Sequence, residues 1–142
     1  MIDQPDPHPD MRPLIEARDA MLPAKTVAEQ RANWTQMSEA LRAPYPEDMT
    51  VTMDAAPRPD GSVPLRVYKP AGANGSAILY FHGGGFMKGD LDSCDTVAWG
   101  YAQETGAAVF SVDYRLTPEH AFPAAFDDCY AALEYVAGKA LD

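Results

Sequence analysis

The sequence contains only two cysteines, Cys94 and Cys129, among 142 residues. Two thiols are too few for a disulfide framework, and with only three scattered histidines a four-ligand zinc site is not expected either. We expect both thiols to be reduced and mostly buried, as free cysteines commonly are in cytosolic proteins.

Basic residues are also scarce, because 11 Lys and Arg stand against 21 Asp and Glu and give a formal net charge of −10 at pH 7. An acidic surface is repelled by nucleic acid and by anionic membranes, so neither is expected as the main partner. The chain has no apolar run of the roughly 18 residues that a membrane-spanning helix needs. Residues 1–10 lack the basic and apolar segments of a secretory signal, so the expected location is cytoplasmic.

The remaining composition, 46% hydrophobic and 23% charged residues, is typical of a single globular domain. Two amphipathic helices are predicted near the N-terminus. The apolar-face positions of the first are Met11, Leu14, Ile15, Arg18, Met21 and Leu22. The second runs from about residue 25 to residue 42, with one stripe made of Val27, Trp34, Met37 and Leu41.

The pattern changes to strands after residue 48. Met49–Met53 alternates with a period of two residues, and Val63–Tyr68 predicts a second strand beyond a Pro- and Gly-containing turn at 57–61. Together they predict an antiparallel hairpin at a sheet edge.

Two continuous apolar runs, Ala77–Phe81 and Ala107–Val112, are typical of strands buried on both faces. A helix is predicted between them over 96–105, ended by a glycine C-cap at 106. A last helix is predicted from near residue 123. The order strand, helix, strand, helix predicts a parallel sheet with a right-handed crossover. Inward positions of the last helix are expected at Phe126, Cys129, Leu133 and Val136, with Asp127 and Asp128 in its first turn.

Three consecutive glycines, Gly83–Gly85, directly follow the first apolar run. They cost conformational entropy, which indicates close backbone approach or unusual φ and ψ angles. The spacing fits neither a dinucleotide loop nor a P-loop, because Lys88 and Asp90 stand where glycine and lysine would be required. Two alternatives remain: an oxyanion hole made of bare backbone N–H groups, or a tight turn without a ligand.

A longer motif covers Val112–Asp128, with the sequence Val-Asp-Tyr-Arg-Leu-Thr-Pro-Glu-His-Ala-Phe-Pro-Ala-Ala-Phe-Asp-Asp. With His82-Gly-Gly-Gly-Phe86, thirty residues earlier, it closely resembles the hormone-sensitive-lipase-like α/β hydrolases, a family of carboxylesterases and lipases. The resemblance implies an α/β fold, the N-terminal half of an α/β hydrolase with a mostly parallel sheet and an antiparallel edge hairpin. It implies a helical cap segment over residues 1–47 and a partial hydrolase core over residues 48–142, truncated before the nucleophile elbow.

The resemblance also implies roles for single residues. Gly83, Gly84 and Gly85 match the oxyanion loop, and His82 matches a histidine that supports this loop and is not the catalytic base. Phe86, together with residues of the cap segment, would line the substrate pocket. The cap residues expected there are Trp34 and Met37. Four residues are expected to tie the loop after the predicted strand at 107–112 to its neighbours: Asp113, Arg115, Glu119 and His120.

The sequence departs from the family because it contains no Gly-x-Ser-x-Gly motif. The family order of nucleophile, acid and histidine places all three beyond Asp142, so we expect no catalytic residue in this chain and no activity of the isolated chain. Substitute sites are weakly supported. Ser93 with His82 or His120 would need hydrogen-bond reach and an orienting acid, and the resemblance gives both histidines structural roles. Asp90, Asp92 and Asp95 lack the twelfth-position glutamate of a calcium loop.

Two functions therefore stay open. The first is hydrolysis of small carboxylic esters by a complete protein, with this chain supplying cap and oxyanion loop and with no metal or organic cofactor. The second is a non-catalytic binding or assembly subunit that complements a second chain carrying the Gly-x-Ser-x-Gly half. With either function, a complementing chain or a homo-oligomer is a candidate partner, since an unpaired strand edge favours association.

Overall fold

The computed structural model describes residues 6–139, which form four α-helices and four β-strands. The element bounds are α1 Arg12–Asp19, α2 Val27–Ala40, β1 Met49–Arg58, β2 Gly61–Pro70, β3 Ala77–Phe81, α3 Asp95–Thr105, β4 Ala108–Val112 and α4 Ala124–Lys139. Among residues 6–139, no helix has the length and apolar character needed to cross a membrane.

The outer ends of the two predicted segments, 1–47 and 48–142, extend past the described range. Asp142, after which the sequence predicts the catalytic triad, is one of the residues outside that range. The boundary at Asp142 and the placement of the triad beyond it therefore stay predictions, and the structure describes neither.

Helix α2 begins where a capping box satisfies its first N–H groups. The Thr26 hydroxyl accepts a hydrogen bond from the Glu29 N–H at 3.2 Å, and the Glu29 carboxylate accepts one from the Thr26 N–H at 3.0 Å. The predicted stripe of α2 is half-buried against the rest of the molecule, as expected. Helix α1 is shorter than predicted, because Met21 and Leu22 lie beyond its last residue.

The four strands form one sheet in the order β1-β2-β4-β3. Strands β1 and β2 pair antiparallel from Met49 opposite Pro70 to Arg58 opposite Gly61, so the predicted edge hairpin is confirmed and is longer than expected. Strands β3 and β4 pair parallel through α3, which confirms the predicted crossover. Gly106 ends α3 in the left-handed conformation, with φ of 70°.

The prediction that β3 is buried on both faces is wrong. Its three central residues are half-buried, and the Phe81 side chain is 42% exposed. The reason is its position, because β3 pairs with β4 on one side and lies at the edge of the described sheet. Strand β4 lies between β2 and β3 and is the more buried of the two.

One helix packs on each face of the sheet over a hydrophobic cluster. Helix α3 covers a cluster around Tyr68 and Val109, and α4 covers a cluster around Leu65 and Val112. Because β3 and β4 run parallel, the segment that follows β4 leaves the sheet at the same end as the glycine loop that follows β3.

The predicted inward face of α4 is partly wrong. Phe126 is 62% exposed and Leu133 is also exposed, whereas Asp128, Ala132 and Val136 are the buried positions. Their spacing of four residues shows that α4 is turned about its axis relative to the prediction. Asp128, one of these buried positions, pairs with the Arg58 and Arg115 side chains.

Candidate active site

The chain reverses sharply as it leaves β3. Gly84, Gly85 and Phe86 have φ angles of 130°, 64° and 62°, and Phe86 is the only non-glycine residue with positive φ among residues 6–139. The carbonyl of Gly84 accepts hydrogen bonds from the N–H groups of Met87 at 3.2 Å and Lys88 at 3.3 Å. Glycine adopts positive φ readily, but for Phe86 this region is sparsely populated, which indicates that the surroundings hold the loop in place.

Two positions in this loop leave no room for a side chain. A Cβ atom on Gly84 would lie 2.0 Å from the carbonyl oxygen of Lys88. A Cβ atom on Gly89 would lie 2.3 Å from Nδ1 of His82. The requirement at Gly89 was missed from the sequence, where the only signal was a fourth glycine shortly after the first three.

The N–H groups of the three glycines find no acceptor among the described residues. Within residues 6–139, those of Gly83, Gly84 and Gly85 donate no hydrogen bond to another protein group. Gly83 and Gly85 are exposed, and Gly84 is half-buried. An oxyanion hole requires such free donors, although a turn that donates to water would leave them free as well.

His82 lies beneath the loop and is 5% exposed. Its Nδ1 atom is 2.9 Å from the Gly83 carbonyl oxygen, and its ring stacks on Tyr114 with centroids 4.2 Å apart. The Tyr114 hydroxyl donates to the His82 carbonyl at 2.5 Å. Burial raises the pKa of Tyr114 to about 12, so the phenol remains a neutral donor at pH 7. Through these contacts, Tyr114 connects the segment after β4 to the start of the glycine loop.

The far side of the loop is held by Thr117 and Arg31. The Thr117 N–H donates to the Phe86 carbonyl at 2.8 Å, and the Arg31 Nε donates to the Met87 carbonyl at 2.7 Å. Arg31 also forms a bidentate pair with Glu119 at 2.7 and 2.8 Å. Hydrogen bonding to Arg31 lowers the pKa of Glu119 to about 2. Sequence reasoning missed Arg31, because a charged residue between Val27 and Trp34 indicates a solvent-exposed position.

The buried carboxylate of Asp128 ties the loop after β4 to α4. Asp128 is 1% exposed and accepts hydrogen bonds from the backbone N–H and Nε of Arg115, each at 2.9 Å, and from Arg58 at 3.0 Å. Burial raises the pKa of Asp128, but the hydrogen bonds from Arg115 outweigh burial and hold the pKa below its usual range. Asp113 and His120 are the remaining residues that were expected to tie the loop after β4 to its neighbours. Asp113 is half-buried, and burial raises the pKa of its carboxyl group, whereas His120 is exposed.

The structure divides the expected pocket residues between two grooves. Trp34 and Met37 line a groove of about 270 Å³ under α2, together with His82 and Gly83. Phe86 lines a different, almost wholly apolar groove of about 470 Å³. Its other lining residues are Phe81, Thr117, His120, Phe122, Ala125, Phe126 and Cys129. Trp34 and Met37 therefore share a groove with Gly83 of the glycine loop, whereas Phe86 lines a separate groove.

A family model described as the alpha/beta hydrolase fold matches residues 78–141, which include the glycine loop. Among solved structures, an esterase from the bacterial hormone-sensitive lipase (HSL) family has a TM-score of 0.80 and 28% identity, covering 96% of this chain and 45% of that chain. The chain belongs to the HSL-like α/β hydrolases. A hyperthermophilic esterase from the archeon Pyrobaculum calidifontis has a TM-score of 0.77 and 34% identity, covering 94% of this HSL-like chain and 44% of that esterase.

Curated relatives of this HSL-like chain carry names of ester hydrolases. Esterase LipI of Mycobacterium tuberculosis is 43% identical over 100 residues, which are 68% of this chain and 31% of LipI. Carboxylic ester hydrolase LipN of the same organism is 37% identical over 117 residues, which are 82% of this chain and 31% of LipN. The chain therefore spans less than a third of the length of the curated relatives it matches.

Ser93 and two of the aspartates considered above as alternative catalytic or calcium-binding residues have structural partners in this HSL-like chain. The Ser93 hydroxyl bonds the backbone N–H and carbonyl of Asp90 at 2.8 and 3.0 Å. Arg66 pairs with Asp92 at 2.8 Å and with Asp95 at 2.9 Å, so two of the three carboxylates already share one cationic partner. Among residues 6–139, no group of three or more His, Cys, Asp or Glu side chains could hold a metal ion.

Proposed function

We propose that this HSL-like chain contributes the oxyanion loop and the cap to the hydrolysis of carboxylic esters. The observation that carries the proposal is that the N–H groups of Gly83–Gly85 donate to no acceptor within residues 6–139. They follow β3, a parallel strand, at its carboxyl end, where α/β proteins commonly bind their ligands. The ester-hydrolase names of the relatives support the same reaction class.

In the proposed reaction, a serine on a Gly-x-Ser-x-Gly turn attacks the ester carbonyl carbon while a histidine takes the serine proton. The carbonyl π electrons move to the oxygen, which becomes an oxyanion and accepts hydrogen bonds from the loop N–H groups. When the tetrahedral intermediate collapses, the alkoxide leaves and receives the proton from the histidine. Water then hydrolyses the acyl-serine by the same route. We propose that a region beyond Asp142 supplies the serine, the acid and the histidine.

The groove under α2 is the proposed acyl site, because Trp34 and Met37 line it together with Gly83. One relative, 42% identical over 83 residues, is named ethyl acetate hydrolase from Pseudomonas putida. Small carboxylic esters are therefore the substrate class we propose.

The proposal is tested with two preparations. The first is the isolated 142-residue chain, which we expect neither to hydrolyse p-nitrophenyl acetate above background nor to react with a serine-directed fluorophosphonate. The second is the assembled hydrolase, meaning this chain joined to or complexed with a region that carries Gly-x-Ser-x-Gly. The assembled hydrolase should turn over the ester and be labelled once. Stoichiometric labelling of the isolated chain would contradict the proposal that this chain carries no catalytic serine.

The alternative, a non-catalytic subunit that complements a second chain, is favoured by one surface. Strand β3 lies at the edge of the sheet that residues 6–139 form, beside the apolar groove, where Phe122 is 87% exposed and Phe126 is also exposed. Such a row of exposed aromatic side chains is unusual unless another protein surface covers it. Co-purification with a chain bearing Gly-x-Ser-x-Gly would support complementation, and a stable, monodisperse monomer would argue against it.

A further inference from the structure

We infer that Arg31 of α2 is a positioning residue that couples the helical cap segment to the conformation of the glycine loop. The inference rests on the proposed function, because the loop is the part of the site that would meet the oxyanion. Three observations lead to it: the backbone conformation of the loop, the acceptors that Arg31 reaches, and a second contact from the same helix.

The loop conformation needs support from outside. Gly84, Gly85 and Phe86 all have positive φ, and a phenylalanine adopts this region only where its surroundings impose it. The loop's own bonds are the two from Met87 and Lys88 to the Gly84 carbonyl, at 3.2 and 3.3 Å, which are long for N–H donors. The shorter bonds come from other elements, so those elements decide whether the conformation persists.

Arg31 closes a ring of hydrogen bonds that includes the carbonyl groups of Phe86 and Met87. Its Nε donates to the Met87 carbonyl at 2.7 Å, and its Nη2 donates to the Thr117 carbonyl at 3.0 Å. Thr117 in turn donates its N–H to the Phe86 carbonyl at 2.8 Å. The bidentate pair with Glu119 fixes the plane of the guanidinium, so all its bonds are set at once.

The same face of α2 makes a second contact with the loop. Trp34 lies three residues after Arg31, and the Lys88 ammonium sits 4.8 Å from the centre of its ring. Trp34 also lines the groove beside Gly83. A displacement of α2 would therefore pull on both ends of the segment from Met87 to Lys88, which means that cap position and loop geometry change together.

The experiment compares Arg31→Ala and Arg31→Lys with the matched control Arg18→Ala. Arg18 lies on α1 and pairs with its neighbour Asp19, so its loss removes an arginine from the cap segment without touching the loop. The first readout is amide hydrogen exchange by NMR in the isolated chain. Because a charge-assisted hydrogen bond is lost, the amides of Met87, Lys88 and Thr117 should exchange roughly 10- to 100-fold faster in Arg31→Ala. Amides of the β2–β4 ladder should exchange at the wild-type rate in all three variants.

Arg31→Lys separates geometry from charge. A lysine ammonium keeps the positive charge beside Glu119 but cannot reproduce the fork that reaches Met87, Thr117 and Glu119 together. We expect it to leave loop exchange fast. Full restoration by lysine would overturn the inference, because charge compensation of Glu119 would then suffice. Equal acceleration of the ladder amides would overturn it as well, since the effect would be a general loss of stability.

The second readout is the kinetics of the assembled hydrolase. Arg31→Ala should lower kcat with little change in KM, because the loop contacts the oxyanion and not the ground-state ester. Unchanged kcat would overturn the positioning role. The proposed function fails separately, because it predicts a loss of kcat in Gly84→Ala whatever happens at Arg31. A kcat loss in Gly84→Ala with wild-type exchange and kcat in Arg31→Ala would refute only the inference about Arg31.

Discussion

Replacing Gly84 with alanine tests the oxyanion loop most directly. The new Cβ would lie 2.0 Å from the Lys88 carbonyl oxygen and 2.7 Å from the Lys88 carbonyl carbon, whereas real Cβ atoms essentially never approach within 3.0 Å. The turn must therefore open by about 1 Å, and the φ of 130° adds strain for any L side chain. Both effects displace the N–H groups of the loop.

The expected loss follows from what one donor contributes. Losing one oxyanion donor costs roughly 10²–10³ in kcat, or about 2.7–4 kcal/mol, and a misplacement of about 1 Å alone can cost roughly 10²-fold. We expect kcat of the assembled hydrolase for p-nitrophenyl acetate to fall by about 10² or more in Gly84→Ala, with a smaller change in KM.

Gly100→Ala is the matched control for this substitution. Gly100 is inside α3, and a Cβ there meets no atom within 4 Å, so the change should be neutral or slightly stabilising. Circular dichroism of both variants would show that the fold is retained. If folded Gly84→Ala has the same kcat as Gly100→Ala, the assignment of Gly83–Gly85 as an oxyanion loop is wrong.

Two further predictions concern the ion pairs around the site. The pKa of Glu119 is about 2 in the folded chain against an ordinary value of 4.5, so its stabilising contribution is full above pH 4.5 and is lost as the pH falls toward about 2. Glu119→Gln should remove this acid-dependent loss, as urea unfolding at several pH values would show, and an unchanged pH profile would contradict the pairing. Asp128→Ala should destabilise the chain by about 3 kcal/mol, because it leaves Arg58 and Arg115 without their buried partner. Asp60→Ala is its control: Asp60 is exposed and lies 3.4 and 3.8 Å from the same two arginines, so we expect a loss below about 1 kcal/mol. Equal unfolding midpoints for the two aspartate variants would refute the role given to Asp128.

Local sequence signals were sufficient where the determining interactions are short-range. The period-two alternation and turn residues predicted the β1–β2 hairpin, and Gly106 ended α3 as expected. The same holds for the start of α2, where Thr26 and Glu29 satisfy each other's N–H groups within one turn. The two long motifs identified the hydrolase family, because they combine many residues in a fixed order.

Tertiary structure decided the features that depend on residues far apart in the chain. Strand β3 is apolar enough to be central, but strand order places it at the described edge. Asp128 occupies a buried position on α4, where it accepts a hydrogen bond from Arg58, seventy positions earlier in the sequence. Arg31 meets Met87 across 56 positions, which no pattern in α2 indicates. Hydrophobic periodicity registers only which residues are apolar, whereas these contacts depend on which polar groups become neighbours when the sheet and its helices pack together.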